Sequence, residues 1–307
     1  MRPLLGISMK LASITLFMGM SGIIKYLSNR FPAGEIVFFR SLFAIPVIIV
    51  WLLLRREFPA GLRMGWPFGH LMRGLFGATS MGLSFAALGF LPLPEATAIG
   101  YTAPLLMVLF AAWFLGETVH RFRITSVGIG LVGVLIVLAP QLAALFGHGD
   151  PAAALGAGIA LVSAVLAAVA QTWVSRLVQR ERVPTVVFYF SASATLLSLL
   201  TLPWGWVRPD AGEAALLVSA GVIGGLAQAL LTSSYREADA SLIAPFEYAS
   251  MVLAIGVGYF VFAEVPGLQT LIGAAIIVSA GLLIIWRERQ LGIQRARQRK
   301  ALSPGGR

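Results

Sequence analysis

Seven ionisable side chains stand inside long apolar stretches of this sequence: Lys10, Lys25, Glu35, Arg40, Arg73, Glu95 and Glu247. At the centre of a membrane-spanning helix such a group costs about 3 kcal/mol on insertion scales, so each is retained for pairing or for function. Glu247 is the strongest functional candidate. It lies two residues after Pro245 and beside Tyr248, where a partly desolvated carboxylate can recognise a substrate amine or exchange a proton. Its structural alternatives are a permanent counter-ion for Arg73 or Lys25, or a protonated acid bonded to a helix carbonyl. Lys25, Glu35, Arg40 and Glu95 fall toward one membrane face. Two cations and two anions at one depth make a structural charge or gate cluster, with Arg40 held by Glu35 or Glu95. Lys10 can reach the opposite face by snorkelling.

Uncharged polar groups recur at helical spacing. Arg73, Gly77, Ser80 and Ser84 follow one another at i, i+4, i+7 and i+11 and form a semi-polar edge. Beside it, Gly74, Ala78, Gly82 and Ala86 make a small-residue face that lets a second helix approach closely. Thr97, Tyr101 and Pro104 in one stretch are answered by Pro245, Glu247, Tyr248 and Ser250 in another. Proline frees a backbone carbonyl, which a bilayer tolerates where a neighbouring helix or a water-filled cavity satisfies it. Interrupted helices at corresponding places of two halves point to a binding site. Gln228, Thr232 and Tyr235 share another face, and Gln171 and Trp173 lie together on a further segment. The expected substrate-binding or coupling set is therefore Glu247, Tyr248, Tyr101, Thr97, Ser80, Ser84, Gln228, Gln171 and Trp173. Any single Ser or Thr among these can instead bond its own helix carbonyl.

No catalytic constellation accompanies them. His70, His120 and His148 are scattered, and no HExxH, GxSxG or P-loop spacing occurs. The absence of cysteine excludes disulfides, thiol catalysis and cysteine metal sites. The reading is a non-enzyme with no metal site and no cofactor, and an intramembrane lipid-modifying enzyme is the alternative from another class.

The elements that must carry these residues are membrane helices. Hydrophobic residues make up 58% of the 307, charged residues only 12%, and mean hydropathy is +0.86, against about 25% charged in a soluble domain. Ten apolar segments have the roughly 20-residue length of a span: 8–28, 33–54, 70–90, 93–115, 121–139, 153–178, 184–203, 213–234, 239–262 and 267–286. The fold class is an all-α polytopic membrane protein of ten transmembrane helices. With the N-terminus inside, seventeen of the 23 Lys and Arg fall on the inner side and only Arg30 and Arg208 outside, the other four lying within spans. That separation predicts both termini in the cytoplasm. The net charge of +10 therefore belongs to loops and to the 287–307 tail, a solvated, frayed extension able to meet anionic lipid. It does not point to nucleic acid. Oligomeric state is open, a monomer included.

A weak repeat runs through the chain at an offset of about 147 residues, placing Tyr101 on Tyr248, Glu117 on Glu264, Ser126 on Gly273 and Gly133 on Ala280. Five spans per half is an odd number, so the second half must insert inverted. The organisation expected is a first five-helix repeat at 1–139, an outer linker at 140–152, a second five-helix repeat at 153–286 and the basic tail.

FLPLPEATAIGYTAPLLMVLFAAWFLGE at 90–117 and GIGLVGVLIVLAP at 128–140 resemble the fourth and fifth spans of the drug/metabolite transporter superfamily, EamA type. The segment 239–288 is similar to the ninth and tenth spans of a bacterial branch, and EIVFFRSLFAIP at 35–46 matches its second span, with Arg40 in the expected place. Ala263–Glu264 stands where the family more often has Gly–Glu, as in Gly116–Glu117. The resemblance implies a ten-helix inverted-repeat carrier with a central cavity lined mainly by spans 1, 3, 4, 6, 8 and 9. The function expected is secondary transport of a small polar or amphipathic metabolite, such as an amino-acid-like compound, across the cytoplasmic inner membrane by alternating access. Uptake of a nucleoside-like cofactor such as S-adenosylmethionine is the alternative within transport.

Overall fold

The computed structural model describes residues 3–115, 121–144, 150–177, 180–237 and 244–302. Every long element among them is a helix: α1 Pro3–Leu27, α2 Ala33–Leu42, α3 Ala44–Leu54, α4 Pro67–Leu88, α5 Leu93–Gly100, α6 Thr102–Leu115, α7 Arg121–Ala144, α8 Pro151–Leu177, α9 Val183–Leu199, α10 Ala211–Glu237, α11 Ala249–Phe262 and α12 Leu268–Leu302. Seven of the described helices are long and apolar enough to cross a membrane by themselves, counting α2 and α3 as one. The rest are shorter or broken, and the breaks follow from proline. Pro46 has no N–H for the Leu42 carbonyl four residues back, and Pro104 none for that of Gly100, so the chain divides at Phe43 and at Tyr101. In the ninth span a short 3₁₀ turn, Ala244–Tyr248, carries Pro245 and leads into α11.

Local chemistry sets several helix starts. Asp210 and Glu213 cap α10 reciprocally, the Glu213 N–H donating to Asp210 Oδ1 at 2.8 Å and the Asp210 N–H to Glu213 Oε2 at 2.9 Å. Asp150 accepts from the Ala152 N–H at 2.9 Å, with Pro151 as the first residue of α8. Two expectations need correction. The linker expected at 140–152 is helical at its start, because α7 continues through Pro140 to Ala144. The tail expected to be frayed extends α12 to Leu302. Ala/Leu/Arg/Gln-rich sequence of good helix propensity continues the last span there.

α1 packs along α10, α4 along α8, and α7 along α12. Under the repeat, α1 corresponds to α8 and α10 to α4, so the first two pairings are images of each other, and the third joins the two corresponding helices. The Ser13 hydroxyl donates to the Ala227 carbonyl at 2.7 Å, and the Ser163 hydroxyl to the Ser80 carbonyl at 2.8 Å. These are the same bond between the repeats, made once on each side of the axis. At the α7–α12 crossing a Cβ on Gly133 would sit 2.8 Å from the Gly273 carbonyl oxygen, and one on Gly273 2.6 Å from that of Gly133; only glycine permits this approach. The outward faces stay apolar: Phe260 is 84% exposed, Val252 73% and Leu196 67%. Such a surface is stable against lipid and not against water.

Candidate transport site

The two helix breaks meet. Tyr101, at the α5–α6 break, and Tyr248, at the start of α11, face each other edge to face with ring centroids 5.3 Å apart, and the Tyr101 hydroxyl lies 2.5 Å from that of Ser250. Residues equated by the repeat thus touch at its pseudo-twofold axis. Next to them a cavity of about 330 Å³ opens between α4, α5, α6, α8 and α9. Arg73, Gly77, Ser80 and Ser84 all line it, so the semi-polar edge seen in the sequence is a cavity wall, and Gln171 lines it from α8. Small residues supply the volume: Ala96, Gly100, Ala103, Ala160, Ala164 and Ala167. Ser80 and Ser163 bridge α4 and α8 with their hydroxyls 3.3 Å apart and each bonds the other's carbonyl at 2.8 Å, which leaves them structurally engaged at the cavity edge.

Glu247 pairs with Lys10. Lys10 is 1% exposed and Glu247 48%, so the lysine does not snorkel; it reaches from α1 to the 3₁₀ turn, where the carboxylate keeps one side open. This counter-ion is neither Arg73 nor Lys25. The four residues expected to form one charge or gate cluster are divided. Lys25 pairs with Glu264 at 2.8 Å and donates to the Leu91 carbonyl at 2.6 Å, while Glu264 Oε2 accepts the Leu93 N–H at 2.8 Å and so caps α5. Glu95 stands beside that pair, accepting from Gln141 Nε2 at 2.8 Å. Glu35 accepts the Val207 N–H at 2.9 Å. Arg40 reaches neither Glu35 nor Glu95: its buried Nε lies against Gly224 and is without a hydrogen-bond partner. The physical reason is direction, since α2 presents Glu35 to the loop before α10 and Arg40, five residues on, to the face of α10 itself.

Other expected residues fall elsewhere. Thr97 bonds its own helix, donating to the Leu93 carbonyl at 2.8 Å. Gln228 is half-buried on α10 and does not line the cavity. Trp173 belongs to an aromatic group with Trp66 and Phe68, ring centroids 5.7 and 5.6 Å away. Thr232 and Tyr235 have side chains outside the described set. Residues that the sequence reading missed are Glu264, Ser163 and Phe190. Glu264 carried a signal, as the repeat partner of Glu117; Ser163 shares a helix face with Gln171 eight residues on; Phe190 carried none.

Outside the spans, Glu181 joins two loops. It accepts from the N–H groups of Gly65 and Trp66 at 2.9 and 2.5 Å and lies 2.5 Å from His70 Nε2. Burial pushes its carboxyl up, but the bonds from His70, Trp66 and Gly65 outweigh this and hold it below the usual carboxylate value. Among the described residues no group of three or more His, Asp or Glu is placed to hold a metal ion.

A helical bundle with apolar outer faces, two halves related by inversion, proline-broken helices meeting at the axis and a small cavity beside them defines a multi-pass membrane transporter of the inverted-repeat kind. Residues 4–139 and 154–286 both match the EamA-like transporter family, and the chain belongs to that family. It is 34% identical over 271 residues to a pseudopaline exporter of Pseudomonas aeruginosa, covering 88% of this chain and 92% of the relative. It is 31% identical over 275 residues to an S-adenosylmethionine uptake transporter of Rickettsia bellii, covering 87% and 88%. A riboflavin transporter of Vibrio cholerae is 29% identical over 301 residues, covering 94% and 95%. A solved protein structure superposes with a TM-score of 0.64 at 24% identity, covering 93% of this chain and 98% of the other, and shares the fold. The protein is a small-molecule transporter.

Proposed function

We propose that this transporter carries a small polar or amphipathic metabolite, such as an amino-acid-like compound, across the cytoplasmic inner membrane by alternating access. Both termini face the cytoplasm in this reading, the repeats divide at about 139 and 153, and the basic tail meets anionic lipid. One observation carries it. The family match starts at 4 in the first half and 154 in the second, and ends at 139 and 286, so corresponding residues lie 150 apart early in each half and 147 apart later. By that relation Ala160 and Gly100, which line the cavity, correspond to Lys10 and Glu247, which form an ion pair. Both places lie between the two repeats: the cavity stands between α4–α6 of the first and α8–α9 of the second, and in its image across the axis a salt bridge joins α1 to the turn before α11. Exchanging the two conformations would close the first and open the second, which is what a carrier needs to expose one site to two sides in turn.

Glu247 is then the coupling residue, because opening its side requires the ion pair to separate and the carboxylate to take a proton or a substrate amine. Tyr101, Tyr248 and the Ser80–Ser84 wall form the site between. Relatives named for export and for uptake support metabolite cargo with direction set by the gradient. The Rickettsia relatives also favour a second reading, uptake of a nucleoside-like cofactor such as S-adenosylmethionine. Counterflow into proteoliposomes, run over a panel of amino acids, their derivatives and nucleosides, tests the proposal. Saturable uptake of label driven by unlabelled internal compound is expected for at least one class. Non-saturable flux without exchange would mean a channel and overturn it.

A further inference from the structure

Two guanidinium groups sit deep in the bundle with no acid among the described residues to meet them. Arg40 is seven residues into α2 and Arg73 six into α4, each about 10 Å along its helix from the helix start. Arg40 is only 6% exposed. Among the described residues neither forms an ion pair, and the Nε of each is buried without a hydrogen-bond partner. Arg73 lines the cavity, its guanidinium 3.9 Å from the ring centre of Phe190, which lines it too. α2 packs against α4, so the two cations stand on neighbouring helices. The described acids of the spans are engaged elsewhere: Glu247 with Lys10, Glu264 with Lys25, Glu95 with Gln141 and Glu35 with the Val207 N–H. Buried charges are normally paired, and two like charges in a low dielectric oppose each other. A guanidinium is a fork of donors shaped for a planar anion.

We propose that the missing counter-ion is the cargo: the cavity takes an organic carboxylate, with its anionic group on Arg73, its body against the apolar wall, and the charge of Arg40 adding to the attraction. Met81, Phe85 and Phe190 among alanines and glycines make that wall, which suits a carbon skeleton that free phosphate lacks. The inference deepens the carrier reading by naming the charge of its substrate, and it rests on that reading only in taking the cavity as the cargo site.

Thermal unfolding of the detergent-solubilised full chain measures it, with N-acetyl-L-phenylalanine as probe, its primary amide as the uncharged isostere and sodium phosphate as the third arm. The acid should raise the midpoint in a saturable way, with an apparent Kd about tenfold or more below that of the amide, and phosphate should act no better than the amide. Arg73→Gln should lose the acid's effect by about tenfold while its ligand-free midpoint holds or rises, because a buried charge has gone. Arg73→Lys, which keeps charge and loses the fork, should fall between and serves if the glutamine variant does not fold. Equal responses to acid and amide, a phosphate effect matching that of the acid, or an unchanged response in both Arg73 variants would overturn the proposal. Charge-selective binding without counterflow of any compound would sink the carrier and leave the anion site standing; counterflow indifferent to carboxylate would do the reverse.

Discussion

At Lys10 and Glu247 the two partners have unequal environments, and that inequality decides what their removal does. Lys10 is almost wholly buried, whereas Glu247 is about half exposed, so the lysine depends on the pair more than the acid does. Glu247→Gln should lower stability by roughly 2 kcal/mol, short of the 3–5 kcal/mol for breaking a fully buried pair because water screens the exposed side. The double variant Lys10→Met with Glu247→Gln should recover most of that loss in thermal unfolding, while pH-dependent transport stays abolished in both. Recovery of transport along with stability would show that the pair only holds the fold. Glu181 poses a different test. Its folded-state carboxyl lies below the usual value, so its contribution is present above about pH 4.5 and is lost as pH falls through the folded value. Glu181→Gln should therefore reduce the unfolding midpoint at pH 7, and the gap to wild type should close on acidification below pH 4.5. The residue types of these pairs were plain in the sequence and their partners were not. Lys10 and Glu247 are 237 residues apart, and nothing in either segment chooses that pairing over Arg73 or Lys25; only the packing of α1 against the 3₁₀ turn does.

The helices themselves were legible to within a few residues because each apolar run is bounded by charge, glycine or proline, and lipid leaves a backbone no other way to satisfy itself. Arg73, Gly77, Ser80 and Ser84 could be placed on one wall because helical spacing alone fixes a face. Trp173 was misleading for the converse reason: one residue defines no face, and its neighbours Trp66 and Phe68 come from a distant loop and helix start. The end of α11 shows a local rule being broken. Ala263 has φ of 54°, in the left-handed region that glycine adopts without strain, and it is where the resemblance expected Gly–Glu. The backbone turns there so that Glu264 can reach Lys25 and the Leu93 N–H. An alanine in that conformation costs roughly 1–2 kcal/mol, partly offset by the chain entropy a glycine would add. Ala263→Gly should thus raise stability by about 0.5–1 kcal/mol, readable as a higher unfolding midpoint; a lower midpoint would mean that the methyl group contributes packing that outweighs its strain.

On the scale of the whole molecule, the proposed carrier cycle rests on the inverted repeat. The two sides of its axis differ: the cavity beside Gly100 and Ala160 and the ion pair at Glu247 and Lys10 occupy corresponding places, with Tyr101 on Tyr248 between them. A repeat of only scattered identities could be glimpsed in the sequence, but which side of its axis holds the cavity is a property of packing that no pattern encodes. Because the chain has no cysteine, single reporters can be introduced cleanly at Ser84, which lines the cavity, and at Ser21, the counterpart of cavity-lining Gln171. The most direct measurement is labelling of Ser84→Cys and Ser21→Cys in proteoliposomes by a membrane-impermeant thiol reagent, each in the wild-type background and with Lys10→Met and Glu247→Gln added to release the closed side. Ser84→Cys should label fast from one face and Ser21→Cys slowly from either; releasing the pair should slow the first and speed the second, from the opposite face. Rates that rise together, or that report the same face, would contradict an exchange between two alternating half-sites.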